Sequence, residues 1–279
     1  MINFKTDRAI ILQFPAYAGG KFISNCLSLS RHAVPQHATV AEYLLNSPTD
    51  YQYRFDRVVE TLPPKHDMHN WIAKYEFGDR QLYGSMVSDW QQGQVSDSMV
   101  PLIEKLSQSS LGFFLVSHGH AGNLLKVWPN ATLIILTNWE KFYNISKQLK
   151  SKDSISRDHL GMHCREKYES LSGPDWPSWQ EFDQSGYNIK SFVSRYPEHI
   201  IEEILEFYPE YQADSIIAFD VDVCIFNQTM FLSAIEQLYK KLNFDDFNDF
   251  LDRPEFIKPF CGQKSTTDAQ QLTHISSNK

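Results

Sequence analysis

Apolar positions along this chain fall into two rhythms, short unbroken runs and stripes spaced three and four residues apart, and the two alternate. The first unbroken run, AIILQF at 9–14, predicts a buried strand. PAYAGGK at 15–21 predicts a glycine-containing turn, and 22–29 predicts a helix with Phe22, Cys26 and Leu29 on one face. Polar residues at 30–36 predict a loop, and 40–45 a short helix. From 46 to 97 the pattern is irregular and rich in Tyr, Asp, His and Trp, with Pro63 and Pro64 as a breaker. Residues 98–106 form a helical stripe of Met99, Leu102, Ile103 and Leu106, with Ser98 as N-cap and Pro101 in the tolerant first turn.

The alternation then repeats. Strands are predicted at 112–116 and 131–136, with helical stretches after them at 121–127 and 139–149. Residues 150–191 are polar and aromatic and predict a cap, followed by a helix at 197–207, a strand at 214–221 and a strong amphipathic helix at 229–242. Residues 244–251 close the ordered part. The expected architecture is α/β, a three-layer parallel sheet opening with a P-loop-type strand, loop and helix. Its ligands belong at the carboxyl ends of the strands. The expected organisation is a single domain over 1–264, with an irregular insertion at about 46–97, a cap at 150–191 and a flexible tail at 265–279.

Composition narrows the function classes. The 42% hydrophobic and 14% aromatic content supports a packed core rather than disorder. A net charge of −8 argues against a general nucleic-acid binder, since affinity for a phosphate backbone comes from Lys and Arg. It leaves room for a small anion in a locally basic pocket. No apolar run is long enough to span a membrane, the start MINFKTDR lacks a signal pattern, and the four cysteines are scattered. A cytoplasmic protein with reduced thiols and incidental sequons at Asn130, Asn144 and Asn227 is the expectation.

The chemistry concentrates in the opening loop. Lys21 follows Gly19 and Gly20, where a phosphate-loop lysine belongs, between a strand and a helix whose positive end faces an anion. Against G-x-x-x-x-G-K-[ST], Pro15 replaces the first glycine and Phe22 replaces the hydroxyl residue that ligates Mg²⁺. A phenyl ring ligates no metal, so the loop points to metal-free transfer from a phosphorylated donor rather than to ATP hydrolysis.

The order of these pieces resembles the sulfotransferase family, in which a P-K-S-G-T-T-[WF] loop holds the 5′-phosphosulfate of 3′-phosphoadenylyl sulfate (PAPS). The equivalent here is Pro15-Ala16-Tyr17-Ala18-Gly19-Gly20-Lys21-Phe22. The family's K-T-H strand end, whose histidine is the catalytic base, is matched by Val116-Ser117-His118. Its R-[ND]-P-x-D-x-x-x-S segment, whose Arg and Ser hold the 3′-phosphate, is matched by a segment with Asn138 at the arginine and Ser146 at the serine. The late strand and helix at 214–244 resemble the family's Y-E-D-L strand and the helix ending near F-L-G. Ala18, Val116 and Asn138 stand where the family has lysine, lysine and arginine.

The resemblance implies a PAPS donor, 3′,5′-adenosine bisphosphate as product, no metal, and a small-molecule or glycan hydroxyl as acceptor. It implies His118 as general base, with His120 a second candidate, and Lys21 at the departing phosphate. Ala18, Gly19, Gly20, Lys21, Phe22, Asn138 and Ser146 would bind the donor. A non-catalytic interaction module on the same fold is the alternative, with a kinase-like nucleotide-binding enzyme third.

Weaker signals stand beside these. His159, His163 and Cys164, and likewise His66 and His69, lack the glutamate of a zinc helix and read as solvated groups. Lys141, Lys147, Lys150 and Lys152 form a basic run, by default a solvated face. Trp176 and Trp179 read as packing. Asp220-Val221-Asp222 matches an aspartyl-phosphatase D-x-D, but too little chain follows to build that site's Mg²⁺ ligands.

Overall fold

The unbroken apolar runs become strands because a parallel sheet is covered on both faces and tolerates few polar side chains. A computed structural model describes residues 6–14, 18–34, 38–50, 52–53, 100–117, 121–142, 169, 178–180, 197–198, 200–202, 204–206, 208–209, 211, 215–225 and 227–252. Within them the strands are β1 (Ala9–Gln13), β2 (Ala33–Val34), β3 (Gly112–Ser117), β4 (Thr132–Thr137) and β5 (Ile216–Asp220). The helices are α1 (Gly20–Leu27), α2 (Ala38–Asn46), α3 (Val100–Gln108), α4 (Ala121–Leu125), α5 (Val221–Ile225), α6 (Gln228–Lys241) and α7 (Phe247–Leu251).

The strands make one sheet in the order β2-β3-β1-β4-β5, and every pairing is parallel. The fold is therefore α/β, an all-parallel sheet flanked by helices. All five residues of β1 are buried, as are the inner four of β4. From β1 the chain moves to the β2 edge, returns to β3, then crosses to β4 and β5 on the other side. Such a reversal opens a crevice at the carboxyl end of the central strand. Gln13 at the end of β1 is level with Ser117 of β3 and Ile135 of β4, and Thr137 is level with Asp220.

Two boundaries differ from the sequence pattern for identifiable reasons. Helix α1 starts at Gly20, two residues early, because Gly19 adopts the left-handed conformation (φ 87°) that turns the chain into it. The polar stretch after α1 hides β2, whose two residues are too few to show a period. Ala33 and Val34 are nonetheless fully buried and pair with Gly112 and Phe113.

The strongest predicted helix is α6. It buries Phe231, Ile235, Leu238 and Tyr239, and Asn227 caps it by accepting the Met230 N–H at 3.0 Å. One of the three sequons thus carries a cap. The stripe of α6 meets α1: the Phe22 and Phe231 rings stack at 5.5 Å, and the Tyr239 hydroxyl donates to the Cys26 carbonyl at 3.2 Å. Beyond α6, a polar clamp joins distant parts of the chain. Ser30 Oγ and the Arg31 N–H donate to the two oxygens of Asp246, at 2.8 and 2.6 Å. Asp245 takes the Arg31 guanidinium at 2.7 Å and His32 Nε2 at 2.6 Å.

The predicted insertion and cap lie largely outside the described residues, as does the tail. Within that region Trp179 is partly buried against the core, in keeping with a packing role. Among the described residues, no helix is long and apolar enough to cross a membrane.

Candidate functional site

All five strands are parallel, so their carboxyl ends lie at one edge, and the described candidate residues, 18–22 and 138, follow β1 and β4 there. After β1, Phe14 is buried and its ring fills the space where a Cβ on Gly20 would stand. Gly20 is therefore required by packing, whereas Gly19 is required by its backbone conformation. Ala18 is fully buried beside them. Helix α1 closes its first turn with the Ile23 N–H on the Gly19 carbonyl at 3.2 Å. The N–H groups of Gly20 and Lys21 precede that bond and have no acceptor within the helix. No acidic residue lies in this first turn and no side chain caps it. A backbone start of this kind, at the end of a central parallel strand, is suited to an anion.

Phe22 behaves differently from its neighbours. Its ring is 2% exposed and stacked on Phe231, so the side chain belongs to the α1–α6 interface and only its backbone borders the turn. At the last position of β1 is Gln13, which is fully buried. A polar side chain at that depth interrupts an otherwise apolar strand, a signal that AIILQF already carries.

On the β3 side the backbone is described to Ser117. His118, which follows it in the chain, and His120 lie outside the described residues. So do Ser146, Lys147, Lys150 and Lys152, and the histidines at 66, 69, 159 and 163 with Cys164.

On the β4 side, Asn138 leaves the strand in the left-handed region (φ 46°), which Asn tolerates better than most residues. Its amide Nδ2 donates to Asp220 Oδ2 at 2.6 Å, and its carbonyl accepts the Asp222 N–H at 2.9 Å. The other Asp220 oxygen accepts from the Val223 N–H at 2.9 Å. Asp222 accepts the N–H groups of Lys141 and Phe142, at 2.6 and 3.0 Å. The D-x-D carboxylates therefore serve as internal acceptors that join the β5 turn to the β4 turn. Burial first, and the charge of Asp220 in addition, raise the Asp222 carboxyl above its ordinary value, while the two amide donors pull it down. This corner is not legible in the sequence, because its halves lie some eighty positions apart.

The other groupings among the described residues are a charged cluster and two cavities. His32, Asp245 and Asp246 offer ligand atoms within 4.8 Å of one another. The Arg31 guanidinium shares an Asp245 oxygen with His32, and both Asp246 oxygens accept from residues 30–31, so the cluster is a clamp neutralised by the chain's own cation. A cavity of about 370 Å³ lies along β5 and α6, and one of about 520 Å³ lies by Asp7, Thr132 and Ser215, which precede or begin β1, β4 and β5.

No family model matches the chain, and no curated protein matches it. Among solved structures it is similar to the sulfotransferase STF1 from Mycobacterium tuberculosis H37Rv. The identity is 10%, over 93% of this chain and 78% of that one, with a TM-score of 0.41.

Proposed function

We propose that this protein is a sulfotransferase-like enzyme that moves a sulfuryl group from PAPS to a hydroxyl acceptor, a small molecule or a glycan. The observation that supports it is the turn after β1. Gly19 in the left-handed region, Gly20 sealed by Phe14 and the first N–H groups of α1 stand together at the carboxyl end of the central strand. That arrangement fits the 5′-phosphosulfate end of the donor. Phe22, turned into the core, supplies no metal ligand.

In this reading the Gly20 and Lys21 N–H groups and the Lys21 ammonium hold the phosphate oxygens on which charge develops as the leaving group departs. His118, one residue beyond β3, takes the acceptor hydroxyl proton, as imidazole does near neutral pH. The acceptor oxygen attacks sulfur, the bond from sulfur to the phosphate oxygen breaks, and the bisphosphate leaves with that electron pair.

Calorimetric titration with 3′,5′-adenosine bisphosphate tests the donor assignment. Saturable binding is expected, and no heat at millimolar ligand overturns it. His118→Ala is expected to abolish transfer to a panel of hydroxyl acceptors while the bisphosphate still binds; loss of both makes that histidine structural. A second reading, a nucleotide-binding module without transfer, draws support from Asn138, whose amide is given to Asp220 where the family pattern has a charged arginine. Binding without transfer by wild-type protein across the panel decides for it.

A further inference from the structure

We infer that the β4–β5 corner of this site does not read a 3′-phosphate, so that adenosine 5′-monophosphate binds about as tightly as the 3′,5′-bisphosphate. This rests on the nucleotide reading above. Three observations carry it.

The first is that the backbone seat for an anion at this corner is already filled. Residues 140–142 are helical, and the Lys141 and Phe142 N–H groups at that start are the donors an anion would need. Both are bonded to the Asp222 carboxylate, at 2.6 and 3.0 Å. A phosphate there must displace an anion of the chain itself.

The second is the state of Asn138. Its amide donates to Asp220 at 2.6 Å and its carbonyl is held by the Asp222 N–H, so turning the side chain toward a ligand breaks an amide–carboxylate bond. Neutral Asn also lacks the charge and paired donors of a guanidinium.

The third is charge. Among the described residues this corner carries the carboxylates of Asp220 and Asp222 against the ammonium of Lys141. A dianionic group brought here meets repulsion in a partly desolvated setting. The turn after β1 has no acidic residue in its first helical turn, so the two ends of the nucleotide meet opposite environments. The protein then selects its ligand by the 5′-phosphate and accepts adenylates that lack the 3′ group.

Parallel titrations of the wild-type protein with the two nucleotides test this. A ratio of dissociation constants below about tenfold is expected, and a bisphosphate preference of tenfold or more overturns the inference while leaving the donor reading intact. Binding of neither nucleotide overturns the donor reading, and this inference with it. Asp220→Asn, which removes a charge and keeps the side-chain shape, is expected to shift the ratio toward the bisphosphate several-fold. An unchanged ratio overturns the electrostatic cause. Because the ratio is taken within each protein, a partly unfolded variant does not distort it.

Discussion

At positions 19 and 20 two adjacent glycines answer to different constraints, and substitution separates them. Alanine at 19 must hold φ near 87°, which costs an L-residue about 1–2 kcal/mol. Alanine at 20 drives its methyl into the Phe14 ring, so its cost depends on what that ring can do. Gly20→Ala is therefore expected to lose more stability than Gly19→Ala in urea unfolding. The double variant Phe14→Ala, Gly20→Ala should be more stable than the sum of its parts predicts, by about 1 kcal/mol or more. Strict additivity contradicts the contact. The sequence marked both glycines as phosphate-loop residues and had no means of telling their roles apart, because the ring that occupies the space lies across the turn. Phe22 carries a similar lesson. Its identity told against a metal ligand, but its place against Phe231 depends on a helix two hundred residues away.

At the scale of elements, what repeats often enough is legible and what is brief or long-range is not. The stripe of α6 spans four turns, and β1, β3, β4 and β5 are apolar runs bounded by polar residues, so all were readable within a residue or two at most ends. The two-residue strand β2 offers no period, and the polar residues before it suggested a loop. The Asp222 cap escaped for a different reason. A sequence pattern for a helix start looks at the residue just before the helix, whereas this one is capped from another strand. Asp222→Ala is expected to cost about 1–2 kcal/mol in chemical unfolding at neutral pH, as loss of a helix cap does. Asp222→Asn should cost less, since its amide oxygen still accepts one of the two N–H groups. Equal losses in the two variants would show that the carboxylate charge, rather than the acceptor, does the holding.

Across the whole molecule, the alternation of runs and stripes was enough to specify a parallel α/β sheet, and the reversal beside β1 follows from its strand order. The clamp of Arg31 and His32 on Asp245 was invisible, since charged residues in loops carry no partner label. The Arg31 guanidinium first, and His32 second, hold the Asp245 carboxyl down at about 2, against an ordinary 3.8. A depressed carboxyl stabilises the fold fully above its ordinary value, and that contribution disappears as pH falls from 3.8 toward 2. The difference in melting temperature between wild type and Asp245→Asn should therefore be constant above about pH 5 and close as acid is added. A difference that persists undiminished at pH 2 contradicts the ion pairing. Asp222, raised by burial, responds in the opposite sense, so acid relieves that corner while it loosens the clamp.

The strand order also governs how the molecule comes into being. Strand β1 is the earliest of the described strands and central in the sheet, yet its two neighbours are residues 113–117 and 132–135. As the chain leaves the ribosome, this wholly buried strand waits with both edges bare until residues 113–117 have followed. During that interval AIILQF is a template for pairing with any other extended chain. Recovery of folded protein should therefore fall as copies crowd one another during synthesis.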